Sequence, residues 1–188
     1  FLTLPTPPIV YYGEEIGMRS LEFVRPKEGS LSSRNRTSCR TPMQWDTTIN
    51  AGFSTVKDNT KLFLPVDPAP EFPNVAEQQN DPNSVLNYVK GLIALRNATP
   101  ALGTAGEWEY VGDMDNPYPM IYARTLGEEK YVVVFNPSKR EVSGSIASMG
   151  KKAEWGYGNN RKLAKCKSTK EGHTFAMKPF SVAIFKIK

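Results

Sequence analysis

The residues best equipped for chemistry sit in one loop. Residues 32–46 read SSRNRTSCRTPMQWD, placing Arg34, Arg36 and Arg40 close together, with Gln44 and Trp45 just behind. A guanidinium is a rigid fork of donors that can hold carboxylates or vicinal hydroxyls. An aromatic ring adds an apolar face for stacking. Arg, Gln and Trp in one loop suit a polyhydroxyl ligand. The same residues could equally serve structure, the arginines pairing with local acids and Trp45 anchoring the loop.

The other polar features are weaker. Residues 4–18, LPTPPIVYYGEEIGM, form a short apolar run that ends in Gly and two carboxylates. Splitting a glycosidic bond takes two carboxyl groups about 5–9 Å apart on opposite sides of it. Glu14 and Glu15 are adjacent, and on an extended strand neighbours point to opposite faces, so they cannot share one bond. Asp113 and Asp115 lie in a turn-rich stretch, where solvated Asp is the usual case. The single histidine, His173, lacks partners for a triad and reads as structural. Cys39 and Cys166 make neither a disulfide framework nor a metal site, and either fits as a small buried hydrophobe. Gly-rich phosphate fingerprints are absent from the sequence.

Elements must position these residues. The run 4–18 is rich in β-branched and aromatic residues and reads as one buried strand, residues 8–12, opening into polar residues. With no strand near enough in sequence to pair with it, the chain reads as a piece of a larger domain. Phe1 is read as a processed or engineered terminus, not a signal peptide. Residues 19–74 show no sustained period, yet Trp45, Phe53 and Phe63 give this loop something to bury. A helix is predicted over 81–97. Asp81 is the expected N-cap, Pro82 fits the first turn, and Val85, Leu86, Val89, Leu92 and Ile93 form an apolar stripe stopped by Pro100. From Gly106 the period changes to two. Strands are predicted at 107–111, 120–125, 130–135, 141–146, 173–177 and 180–187, with a boundary near 102–106. Short strands at this spacing suggest a β-sandwich.

The 188 residues carry a formal charge of +5, and no stretch reaches the roughly 20 apolar residues of a membrane-spanning helix. The positive excess gathers at Lys151, Lys152 and residues 161–170. It reads as a solvated hairpin face, and no motif supports a nucleic-acid partner.

The motifs LPTPPIVYYGEEIGM, RTPMQWD, NAGFST and DPNSVLNYVKGLIALRNATPAL, in this order and spacing, resemble the end of an α-glucosidase-type member of glycoside hydrolase family 13. The likeness is to oligo-1,6-glucosidases, maltases and trehalose synthases more than to α-amylases. It is strong over residues 1–102 and generic beyond. It implies an α+β chain: the last strand, loop and helix of a TIM (β/α)8 barrel over residues 1–104, then an all-β C-terminal sandwich over 105–188. Residues 8–12 would be the eighth barrel strand, 19–80 the loop and 81–97 the eighth helix. In this family the catalytic carboxylates come from earlier strands, so no catalytic residue is assigned here and the chain alone is expected to be inactive. The resemblance implies substrate binding by Arg40 and Arg36, which match arginines lining the glucose pocket, with Gln44 and Glu14 as supporting candidates. The implied partners are an α-glucoside or oligosaccharide and the remaining barrel segment, with no cofactor, metal, nucleic acid or membrane assigned. Thr6-Pro7 departs from the family's usual Gly-Thr or Gly-Val before Pro8, and the extra proline puts local strand pairing in doubt. A second reading is a non-catalytic carbohydrate-binding sandwich using Trp108, Trp155 and Tyr157 as a stacking platform.

Overall fold

A computed structural model describes residues 1–22, 24 and 37–188. The chain divides into two compact units: Phe1–Pro8 with Leu92–Lys188, and Ile9–Gly91. The second division point falls inside a helix, and the first unit alone is built from segments distant in sequence.

The first unit holds eight strands. A five-stranded antiparallel sheet runs β1-β2-β3-β8-β5, with β1 Glu107–Tyr110, β2 Met120–Leu126, β3 Glu129–Asn136, β5 Ala153–Gly158 and β8 Ser181–Ile187. A three-stranded antiparallel sheet runs β4-β7-β6, with β4 Val142–Ala147, β6 Ala164–Ser168 and β7 Gly172–Met177. Successive side chains on a strand alternate faces, and the central strands β3 and β8 bury both. Val132 and Val134 of β3, with Ala183, Phe185 and Ile187 of β8, join Ile146, Ala164, Phe175 and Met177 of the smaller sheet in one cluster. Tyr131, Val133 and Ile184 face the other way, against Ala101, Leu102, Leu92, Leu95 and Leu4. Burial on both faces explains why these two strands read as continuous apolar runs.

Strands β5 and β6 were not foreseen. Two glycines weaken the strand signal in AEWGYG, and alternate lysines weaken it in AKCKS. Together they carry the chain from the five-stranded sheet to the three-stranded one, where β6 pairs antiparallel with β7 across a short turn, so residues 164–170 of the basic stretch form one arm and the turn of a hairpin. Lys165 and Lys167 are exposed on β6, an edge strand, where lysine discourages edge-to-edge association. His173 is buried, with Nδ1 3.0 Å from Ser168 Oγ, while Nε2 has no partner among the described residues. Burial pushes the Cys166 thiol up, but Cys39 is exposed, contrary to the expectation that it too could be buried.

Two arginines stitch this unit together. Arg96 Nη1 donates to the carbonyls of Leu2 and Leu4 at 2.8 Å and Leu102 at 2.9 Å, and its Nη2 to that of Thr6 at 3.1 Å. Arg124, 0% exposed, donates to the carbonyls of Thr3, Gly103, Gly106 and Glu107. Neither forms an ion pair among the described residues; backbone dipoles replace water around both charges. Burial, and then the nearby charge of Arg96, lower the pKa of Arg124.

A surface cluster closes the C-terminus. Lys152 and Lys188 approach the Glu154 carboxylate at 2.9 and 2.6 Å. Hydrogen bonds from Lys188 and then Lys152 hold its pKa at about 2, against an ordinary value of 4.5. A pKa depressed on folding contributes stability that is present above pH 4.5 and lost as the pH falls toward about 2. Glu154→Gln should therefore melt lower than the parent chain at neutral pH, with the two melting curves converging on acidification. A gap that persists in strong acid would refute this assignment.

The second unit contains α1 Val75–Asn80 and most of the turn-rich loop. Helix α2 is Val85–Ala98, starting later than the predicted residue 81. Asp81 instead closes α1 and accepts from Asn83 N at 2.9 Å. Ser84 serves as the N-cap: its Oγ accepts from Asn87 N at 3.2 Å. The apolar stripe is narrower than expected. Leu86 is buried, but Val85 and Ile93 are exposed. Helix α1 itself was missed, although Asn74 and Glu77 have capping-box spacing. Asn74 accepts from Glu77 N at 2.9 Å and returns a bond to its carboxylate at 2.7 Å.

Residues 8–12 form no strand, and Ile9 is 89% exposed. The buried-strand expectation is therefore corrected. A strand needs ladder partners, and none lies alongside among the described residues. Pro7 and Pro8 also remove two donors.

Candidate functional site

The predicted loop chemistry lies in the second unit, on a scaffold of turns. Trp45 N donates to Ala51 O at 2.8 Å. Asn50 and Ala51 have left-handed φ values of 53° and 55°, and Gly52 follows at 69°. Asn50 Nδ2 holds the bend by donating to Ser54 O at 3.0 Å and Val56 O at 2.7 Å. A Cβ on Gly52 would lie 2.8 Å from the Asp46 carboxylate, so glycine is needed for space as well as φ. Asp46 accepts from Thr48 N and Oγ1, which lowers its pKa. The RTPMQWD and NAGFST segments are thus two halves of one folded turn.

That turn also starts α1. The carbonyls of Gln44 and Trp45 accept from Val75 N at 3.1 Å and Ala76 N at 2.9 Å, satisfying two N–H groups left open at a helix start. Gln44 is buried, and its Nε2 donates to Pro73 O. This bond braces the loop just ahead of α1. Arg19 pairs with buried Asp67 at 2.7 Å, tying together loop ends 48 residues apart.

Arg40 is exposed and borders a cavity of about 260 Å³, lined also by Tyr12, Pro42, Met43, Phe53, Phe63 and Leu64. Phe53 and Phe63 are 51% and 65% exposed. Tyr12 donates its hydroxyl to Thr41 O at 2.9 Å. Burial, followed by the neighbouring Tyr11, raises the Tyr12 pKa, so the phenol keeps its proton.

Among the described candidates, Glu14 and Gln44 do not line this cavity. Glu14 and Glu15 belong to a 3-10 turn, Glu14–Ile16, between the left-handed glycines Gly13 and Gly17. The strand-based argument for their opposition therefore does not hold, since side chains on a 3-10 helix step by about 120°. Glu14 is exposed and accepts from Tyr11 N at 3.3 Å, while Glu15 Oε2 is buried with no partner among the described residues. Arg34 and Arg36 lie outside the described residues. Sequence reasoning singled out Arg40 but missed Tyr12, Phe53 and Phe63 as its neighbours, because only the fold brings them together. Among the described residues no group of three or more His, Cys, Asp or Glu could hold a metal ion.

The proposed aromatic platform is not assembled. Trp108 and Trp155 sit on opposite edge strands of the five-stranded sheet. Trp155 packs edge-on against Phe185 in one cluster, and Tyr157 packs into the other. No helix among the described residues is long and apolar enough to cross a membrane.

Comparison with known proteins gives consistent relatives. Residues 1–105 match the family model described as alpha amylase, catalytic domain. The chain is 33% identical over 158 residues to oligo-1,6-glucosidase from Parageobacillus thermoglucosidasius, covering 71% of this chain and 27% of that protein. It is 34% identical over 129 residues to trehalose synthase/amylase TreS from Mycobacterium tuberculosis, covering 66% and 20%. The structure of an isomaltulose synthase mutant from Erwinia rhapontici NX5, in complex with D-glucose, superimposes with a TM-score of 0.74 at 28% identity, covering 100% of this chain and 36% of that one. The matched region is thus a minor part of each relative's length.

Proposed function

This chain belongs to the alpha-amylase catalytic-domain family, and from that membership we propose that it supplies the substrate-holding C-terminal part of a retaining α-glucosidase or transglycosidase acting on short α-linked glucosides. In this reading residues 1–104 complete a TIM barrel, with 8–12, which form no strand in this structure, at the position of its eighth strand once neighbouring strands supply the ladder, and residues 105–188 form the C-terminal β-sandwich. Ile9 and Val10, exposed here, would be covered by the neighbouring barrel strands. Barrel active sites lie at the C-terminal ends of strands, which puts Tyr12 and the Arg40 loop on the catalytic side. Family chemistry needs one carboxylate to attack the anomeric carbon and a carboxylic acid to protonate the leaving oxygen. Earlier strands provide both; this chain's residues bind and orient.

The observation that carries the reading is Arg40 at the rim of the cavity with Tyr12, Phe53 and Phe63. Its guanidinium can donate to two neighbouring glucosyl hydroxyls while a ring stacks below. Gln44 and Glu14 hold the surrounding turns, and Arg36 is kept as a second contact from the loop. The test is calorimetric or saturation-transfer NMR titration of this chain with methyl α-D-glucoside. Arg40→Ala should weaken binding roughly tenfold, the loss of one charge-assisted hydrogen bond, at unchanged melting temperature. Equal binding by the variant would remove Arg40 from the site. Incubation with maltose, isomaltose or p-nitrophenyl α-glucoside should give no turnover; hydrolysis would place catalytic carboxylates within this chain.

A further inference from the structure

Two strands of the first unit end their sheets. Strand β1 closes one side of the five-stranded sheet, and β6 closes one side of the three-stranded sheet. Strand β6 lies beside β5, since Ala153 N donates to Ser168 Oγ at 3.0 Å, and β5 closes the five-stranded sheet on the side away from β1. One chain therefore cannot pair its own β1 and β6 edges.

The centres of the two strands are complementary. Strand β1 carries Glu107-Trp108-Glu109, and β6 carries Lys165-Cys166-Lys167. Side chains two apart share a face, so each triplet presents two like charges on one face and an uncharged side chain on the other. All four charged residues are exposed, and none forms an ion pair among the described residues.

The main chains agree with the side chains. Ile121 O accepts from Val111 N, so on β2 the main-chain groups of Ile121, Ala123 and Thr125 turn toward β1, where they meet Glu109 and Glu107. Those of Trp108 turn outward. On β6, Leu163 O accepts from Lys178 N and Thr169 N donates to Gly172 O, so Lys165 and Lys167 bond toward β7 and Cys166 turns outward. An antiparallel pairing that sets Trp108 opposite Cys166 joins two outward-facing main-chain positions. The same register sets Glu107 opposite Lys167 and Glu109 opposite Lys165.

We infer that β1 of one copy adds to β6 of a second copy in this register, joining chains head to tail. Lysines that repel another β6 edge attract an acidic one. Opposite charges facing each other across a strand pair, with Cβ atoms about 5 Å apart, favour the pairing, and like charges oppose it. On the other face the half-exposed Trp108 ring gains cover beside Cys166. The contact is heterologous, so each copy keeps one edge open for the next.

Sedimentation velocity of the full chain under reducing conditions, over a range of protein and salt concentrations, tests this. Species larger than the monomer should form at low salt and dissociate as salt screens the charges. The double variants Glu107→Lys/Glu109→Lys and Lys165→Glu/Lys167→Glu should each need at least roughly tenfold more protein to associate, the scale of two attractions turned into repulsions. An equimolar mixture of the two should associate again, because one then has two basic edges and the other two acidic edges. Hydrogen exchange at the Trp108 and Cys166 amides should slow on assembly, which charge attraction without strand pairing would not cause. Should a reversal unfold the chain, Glu107→Gln/Glu109→Gln and Lys165→Gln/Lys167→Gln replace it, and each should weaken association and abolish its salt dependence. A chain that stays monomeric at every concentration overturns the inference. So does association that the folded variants leave unchanged, a mixture that stays apart, or assembly that leaves both amides unprotected.

Discussion

Arg124→Met is expected to unfold the strand-rich unit early, lowering its stability by about 4 kcal/mol and its Tm by about 15 °C. Methionine fills much of the same volume but donates nothing. The carbonyls of Thr3, Gly103, Gly106 and Glu107 would each lose a guanidinium donor in a site closed to water. Every buried acceptor left unpaired costs on the order of 1–3 kcal/mol, partly relieved by rearrangement. Arg124→Lys should recover only part of the loss, because a point ammonium cannot span acceptors that a planar fork reaches together. Thermal unfolding by circular dichroism measures both variants, and hydrogen exchange should show faster opening of residues 2–6 in the Met variant. A Tm within about 3 °C of the parent would show that the carbonyls find other donors.

This clasp marks the limit of what the sequence discloses. Strands β1 to β4, β7 and β8 were legible because their apolar alternation, or in β3 and β8 an apolar run, and their Asn-Pro, Gly and Ser turns are local signals. The start of α2 was misplaced because Asp81 and Ser84 are both good caps, and only α1, ending at Asp81, decides between them. Arg124 sits in MIYARTL as one charge in an apolar strand, and nothing nearby in sequence reveals that its acceptors lie 17 to 121 residues away. The cavity shows the same division. Arg40 stood out by type and company, whereas Phe53 and Phe63 read merely as loop anchors. Their shared cavity depends on the left-handed bend at Asn50, Ala51 and Gly52, which the letters N-A-G permit but do not specify. Gln44 was singled out for its chemistry, and the structure shows it buried with its amide donating to Pro73 O, a contact made across the loop that no local signal announces.

Gly106→Ala should rival the Arg124 variant in its effect. A Cβ at this position would lie 1.9 Å from Ala101 O and 2.9 Å from the Arg124 guanidinium. Ala101 is completely buried in the 3-10 turn Pro100–Leu102, so its carbonyl has nowhere to retreat. Either that turn shifts, opening the cluster formed by Leu102, Tyr122 and Ile184, or β1 peels from β2 at its first pair, Glu107 with Thr125. Either route should cost about 3 kcal/mol or more, at the upper end of measured overpacking losses because the obstacle is backbone. The two substitutions act on one network, so their effects should not add. Once the guanidinium is gone, the segment carrying Gly106 has already lost a tether and can move aside for the methyl group. The double variant Gly106→Ala/Arg124→Met should therefore be less destabilised than the sum of the single losses by at least about 1 kcal/mol, the coupling expected of residues in contact. Denaturant unfolding of the four proteins measures that difference. Strict additivity would mean that Gly106 and Arg124 support the fold independently, and that the glycine answers to Ala101 alone.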